Sequence, residues 1–205
     1  MPAPIGFLMN VILFETPSRR LYPIIQKLVP EDHPAVAPAT GYWSRLKETV
    51  QAGYQKVKER LNHEERFCAC LRFATRLRVF YPASATSETA EKRFRQFLRL
   101  GYSKHSRWFW VDAVLAFFGI FLMFLPGPNI FFFYPAIRSF GHYQARNGVR
   151  NALSLSDVAF ESEPLVDEIQ DNLHDLDSVA GVIQQLETKY EMDDLKKLLT
   201  QLGEK

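Results

Sequence analysis

The sequence predicts a mostly helical α+β fold: a small mixed domain of amphipathic helices and two or three short strands, with a central apolar helical hairpin broken at a Pro-Gly-Pro-Asn turn. Three observations predict it. Two short runs rich in β-branched and aromatic residues, 7–14 and 77–81, stop at prolines, as strands do. Elsewhere, apolar residues recur at steps of three and four. Between these stretches, residues 108–125 carry one charge and end in a pair of prolines. A chain of 205 residues with 47% apolar content has room for one domain with a core, plus an accessory segment.

The first strand, 7–14, is apolar almost throughout, which suits burial on both faces, and Thr16-Pro17 stops it. Residues 18–29 read as a short helix interrupted by Pro23, and the three prolines of 30–41 mark a loop. Trp43, Leu46, Val50, Tyr54, Val57 and Leu61 then fall on one helical face, and Phe67, Leu71 and Ala74 extend the period. Leu77, Val79 and Tyr81 alternate with Arg76, Arg78 and Phe80 in a second strand that Pro82 closes. Ser87 is the expected N-cap of a helix with Glu88 and Glu91 near its start, apolar Phe94 and Leu98 inside, and a basic outer face. Downstream, 158–160 is a third short strand and Pro164 opens a helix. Further helices carry Leu176 to Tyr190 and Leu195 to Leu202.

The net charge of +2 conceals a split: residues 1–150 hold 21 Lys/Arg against 10 Asp/Glu, while 151–205 hold 4 against 13. A basic body with an acidic tail implies an anionic partner or two parts that attract each other. Cys68 and Cys70, two apart in a helix, diverge too far for a disulfide, which favours a reducing compartment. His63 lies nearby, but no second Cys/His cluster completes four zinc ligands, so neither a metal nor a cofactor is expected. The apolar start precedes the first arginine, Arg19, an order that fits neither a secretory signal nor a mitochondrial presequence.

Function is most legible in the centre. An eighteen-residue helix over 108–125 reaches ~27 Å at ~1.5 Å per residue, just short of a ~30 Å hydrocarbon core. Pro126, Gly127, Pro128 and Asn129 then turn the chain into a second apolar run, 130–137. Both flanks are basic: Arg95, Arg99, Lys104 and Arg107 precede the hairpin, and Arg138, Arg146 and Arg150 follow it. Positive charge stays on the cytoplasmic or matrix side, so the expectation is a membrane-associated hairpin that enters and returns, with most of the chain on that side. Trp108, Trp110, Tyr134 and Tyr143 are placed to sit at the interface. The alternative is a core hairpin of a soluble protein. Asp112, the sole acidic residue between Glu91 and Asp157, is the candidate proton or cation relay, or else an interfacial residue paired with Arg107 or Arg138. The chain divides accordingly into a basic part, 1–107, the hairpin, 108–137, and a basic junction followed by an acidic helical part, 138–205.

Arg107-Trp108, Val111-Asp112-Ala113, Leu125-Pro126-Gly127-Pro128-Asn129, the Phe-rich run after it and Arg138 resemble the mitochondrial potassium/proton exchange-related family, as does Val79-Phe80-Tyr81-Pro82. The resemblance covers 76–150, weakens toward the N-terminus and is not seen beyond Ser156. It implies a role in monovalent cation homeostasis at a mitochondrial or bacterial inner membrane, since the family includes fungal mitochondrial inner-membrane proteins and bacterial relatives. An exchanger with so few apolar residues would need a homo-oligomer or a partner transporter.

Two readings compete: a membrane protein contributing to or regulating potassium/proton exchange, and a membrane-surface structural or adaptor protein without transport. An enzyme is not expected, because no Walker loop, GxGxxG, HExxH, GxSxG or CxxC pair is present and the histidines are scattered. Nucleic acid is not an expected partner either. Basic residues beside an apolar anchor are better matched to the lipid bilayer.

Overall fold

The first predicted strand runs almost continuously apolar because it is buried on both sides. In the computed structural model of the chain, which describes residues 7–16, 20–25, 63–121, 130–192 and 194–203, β1 (Phe7–Glu15) lies inside a four-stranded sheet of order β2-β1-β3-β4. It pairs antiparallel with β2 (Leu21–Ile25) and parallel with β3 (Ala74–Tyr81). In turn, β3 pairs parallel with β4 (Val158–Ser162). Met9, Val11 and Leu13 face one side while Ile12 and Phe14 face the other. The fold is α+β and mostly helical, as the sequence predicts.

One correction concerns β2, where the sequence suggested a broken helix. Pro23 pairs with Leu13 on the outermost strand, a place where a missing amide is tolerated. The loop of 30–41, the amphipathic stretch from Trp43 to Leu61 and the turn Pro126, Gly127, Pro128 and Asn129 lie outside the described residues.

On the first face of the sheet pack α1 (His63–Cys70), a single 3-10 turn (Leu71–Phe73), and two long helices, α2 (Ser87–Phe121) and α3 (Ile130–Ser154). Phe67, Leu71, Phe94, Leu98 and Val149 fill this layer. The other face receives α4 (Pro164–Asp171), α5 (Ala180–Tyr190) and α6 (Leu195–Gly203) through Val166, Ile183, Leu186 and Leu199. The acidic C-terminal part thus covers the back of the N-terminal sheet. Its charges also reach across: Asp157 meets Arg76 at 3.1 Å, Glu161 meets Arg78 at 3.5 Å, and Asp167 accepts amides from Ala83 and Ser84. Buried Glu163 accepts from Lys189 and Tyr190, tying the start of α4 to the end of α5.

Helix α2 begins one residue after its cap. Thr86, not Ser87, accepts the Thr89 amide with its hydroxyl. From there the helix passes without interruption from the basic stretch into the apolar one, 35 residues or ~52 Å in all. Residue 108, where the apolar stretch begins, lies inside this helix. Likewise α3 continues through Pro135, which costs one ladder hydrogen bond, to Ser154. Contacts fall in opposite order along the two helices, with Gly101 near Val149, His105 near His142 and Asp112 near Arg138. That order makes them antiparallel.

The closest approach lies at Gly148 of α3. A Cβ there would sit 1.9 Å from the Cys68 carbonyl oxygen and 3.0 Å from the Arg72 amide nitrogen, both backbone atoms that cannot swing away. Three residues on, Asn151 donates to the Leu71 and Ala74 carbonyls at 2.9 and 2.7 Å, satisfying the groups freed where the 3-10 turn becomes β3. Gly148→Ala is expected to destabilise the fold by about 2 kcal/mol or more, the range of overpacked core sites. Gly181→Ala, on α5 with nothing within 4 Å of the added methyl, is the control. It is expected to leave chemical-denaturation midpoints unchanged or slightly raised.

Candidate functional site

Helix geometry brings five polar side chains into the seam between α1, α2 and α3. His105 and Asp112 lie seven residues apart on α2 and share a face, as do Arg138 and His142, four apart on α3. Gly148 lets α1 lie against α3, and Glu65 in the first turn of α1 points at the same place.

His142 is the hub. Its Nε2 is 3.5 Å from Asp112 Oδ2 and 3.4 Å from an Arg138 guanidinium nitrogen. Its Nδ1 is 3.1 Å from His105 Nδ1 and 3.4 Å from Glu65 Oε1. Arg138 Nε stands 3.7 Å from Asp112 Oδ2, and Arg138 also donates to the Tyr134 hydroxyl at 3.3 Å. One layer out, Lys104 holds Glu64 at 2.8 Å. His105, Asp112 and His142 are buried to 5% exposure or less. Among the described residues, His105 Nε2 and Asp112 Oδ2 make no hydrogen bond, although Asp112 Oδ2 has charged neighbours in Arg138 and His142.

Burial sets the protonation states. It pushes His105 down to about 4, against the opposing pull of Glu64. His142 also falls to about 4, through burial first and then the neighbouring His105, Arg138 and Lys104. Burial raises Glu65 above the usual carboxylate range, although Arg138 and Lys104 draw it back. At neutral pH both imidazoles are therefore uncharged. Each ring then has one donor and one acceptor nitrogen, and the guanidinium, which can only donate, favours a lone pair on His142 Nε2.

Of the residues singled out from the sequence, Asp112 is buried and paired with Arg138, the partner foreseen for it, and the structure adds His142. Trp108, Trp110, Tyr134 and Tyr143 are exposed, with Arg138 within 6.0 Å of the Trp108 and Tyr134 rings and Arg146 over Phe109 and Tyr143. Arg95 pairs with Glu91 and Lys104 with Glu64, while Arg99, Arg107 and Arg150 stand exposed. Asn129 and the prolines beside it are outside the described residues. His63 stacks on Tyr22, and its Nε2 meets the Pro23 carbonyl at 2.9 Å. Cys68 is a buried core thiol.

Glu65, His105 and His142 were not legible as a site. Their positions in the chain are scattered, and only antiparallel pairing of α2 with α3 makes them neighbours. Distance from the predicted turn would not have paired them either, since His105 lies 21 residues before Pro126 and His142 only 13 after Asn129.

The two histidines link stability to pH. Between pH 6.5, their ordinary value, and about 4, the unfolded chain binds protons that the folded chain refuses, so acidification over that window favours unfolding. Glu65 works in the opposite sense: its raised value makes the folded state the better proton binder, and acid adds stability there. Burial raises Asp112 as well, so two imidazoles oppose two carboxylates; the imidazole window opens already at pH 6.5, and thermal melts are expected to show a lower Tm at pH 5 than at pH 7. His142→Gln should narrow that difference; an equal difference in the variant would remove His142 from the linkage.

The family model described as mitochondrial K+-H+ exchange-related matches residues 44–156. The matched span is more than half of the chain, includes Glu65, His105, Asp112, Arg138 and His142, and stops two residues after α3 ends. No curated protein and no solved structure matches the chain. On the strength of that span, the chain belongs to the mitochondrial K+-H+ exchange-related family.

Proposed function

We propose that this protein serves potassium/proton exchange at a membrane, contributing to it or regulating it, with its long hairpin dipping into the lipid and Asp112 as the group that trades a proton for a cation. The family name points to mitochondrial association and to this exchange. The observation that carries the membrane part is the outer surface of the hairpin. Trp110 is 62% exposed, Phe117 58% and Phe118 61%, and Val114, Leu115 and Phe133 are exposed as well. Monomers in water rarely expose so many adjacent large apolar groups. Burying one such side chain contributes on the order of 1.5–3 kcal/mol.

Among the described residues no helix is long and apolar enough to cross a membrane. The apolar end of α2, residues 108–121, is only ~21 Å long at ~1.5 Å per residue. The proposal is therefore a hairpin that enters one leaflet and returns, on the matrix side of a mitochondrial inner membrane or the cytoplasmic side of a bacterial one. Arg99, Arg107 and Arg150 are exposed toward its base, where they would meet anionic headgroups. Ion movement by so small an apolar segment would need further copies or a partner transporter.

The adaptor reading has one observation in its favour: Arg138 already supplies a counter-ion to Asp112. Two measurements separate the readings. The protein is expected to stay in the membrane pellet after an alkaline carbonate wash, and Phe117→Asp with Phe118→Asp to release it. Complete extraction of the wild type would place the apolar surface against another protein. In vesicles, Asp112→Asn is expected to abolish proton-coupled potassium flux at equal insertion, with Arg107→Gln unaffected. Flux unchanged in Asp112→Asn would end its relay role, and no flux from the wild type alone would favour the adaptor or a partner-dependent regulator.

A further inference from the structure

A carboxylate that trades protons needs a supply from water, and Asp112 is buried with no hydrogen bond to Oδ2 among the described residues. The imidazole of His142 spans the gap. One ring nitrogen faces Asp112 and the other faces Glu65, whose side chain keeps 12% exposure. An imidazole between two carboxylates can accept a proton on one nitrogen and release a different one from the other. From these contacts we propose that Glu65, His142 and Asp112 form a proton relay across α1, α3 and α2, with Glu65 as the entry and His142 as the bridge. The proposal rests on the reading of Asp112 as a proton-exchanging group.

The step balances as a transfer of one proton. The transfer starts from the Nε2–H tautomer, the one Arg138 disfavours at rest: protonated Glu65 gives its O–H proton to His142 Nδ1, the Nε2–H bond breaks, and that proton goes to Asp112 Oδ2. Glu65 ends as a carboxylate, Asp112 as an acid, and the ring is neutral before and after with its tautomer inverted. The reverse transfer resets it. Oε1 to Nδ1 is 3.4 Å and Nε2 to Oδ2 is 3.5 Å, against ~2.6–3.2 Å for a working hydrogen bond. Transfer requires both gaps to shorten into that range.

Every element around His142 contributes to the charge balance. Arg138 on its own helix lies 3.7 Å from Asp112 and also acts on Glu65, so the negative charge keeps its counter-ion at either end of the route. Lys104 on α2 acts on Glu65 as well, and is itself held by Glu64 of α1. His105 on α2 faces Nδ1, uncharged near neutrality, and its Nδ1 lone pair accepts from the Nδ1–H form of His142 once made. Arg138 donating to Nε2 favours that same form.

The test is nitrogen-15 NMR of the full chain, histidine-labelled, in phospholipid nanodiscs, with His142 assigned through His142→Gln. Glu65→Gln and Asp112→Asn are each expected to move the His142 titration midpoint by about one unit and to change its tautomer ratio. Glu91→Gln, at an exposed pair with Arg95, should change neither. In flux assays, Glu65→Gln should lower proton-coupled exchange as strongly as Asp112→Asn, and the double variant should be no worse than either. A His142 tautomer and midpoint indifferent to both carboxylates would overturn the relay, even if the wild type moves ions. Coupled titration in a chain that moves no ions would sustain the relay while removing the exchange reading it was built on.

Discussion

Where α1 crosses α3, two backbones touch with no side chain between them. Gly148 has no Cβ, and the space one would need is taken by the Cys68 carbonyl and the Arg72 amide. Several features hang on that contact. It sets the height of α1 above the helical pair, so that Glu65 reaches His142. It also fixes the 3-10 turn from which β3 departs, with Asn151 bonding the two carbonyls left over. A methyl group there would lift α1, open the first core layer and take Glu65 away from the seam.

The antiparallel pair of α2 and α3 is polar within and apolar without over part of its length. At its inner face sit His105, Asp112 and His142, all buried, while Trp110, Phe117 and Phe118 face outward. A water-exposed helix normally reverses this arrangement. Desolvating titratable groups is costly, and the seam reduces the cost by keeping both imidazoles neutral and by giving the carboxylates one shared guanidinium. Neutral imidazoles inside and apolar surface outside are compatible with lipid contact.

The acidic and basic parts of the chain find much of their purpose in each other. Helices α4 to α6 close the second face of the sheet, and Asp157, Glu161 and Asp167 engage Arg76, Arg78 and the amides after β3. The exposed pairs add little stability each. The apolar layer of Ile12, Phe14, Phe80, Ile183 and Leu186 holds these parts together.

By itself the sequence determined the elements whose signals are local: the doubly buried run of β1, the alternation in β3, the helix starts near Thr86 and at Pro164, and the apolar centre with Asp112 inside it. Each depends on a period or a proline that neighbours a few residues away can read. It missed β2, because a proline that looks like a helix breaker is harmless on an outer strand, and only the strand order shows which strand is outermost. The seam was beyond it for a related reason. Glu65, His105 and His142 are 40 and 37 residues apart in sequence, and they meet only because two long helices pair antiparallel and a glycine admits a third. Local chemistry settles what a segment becomes, while the choice of which titratable groups share a dry space belongs to packing among distant segments.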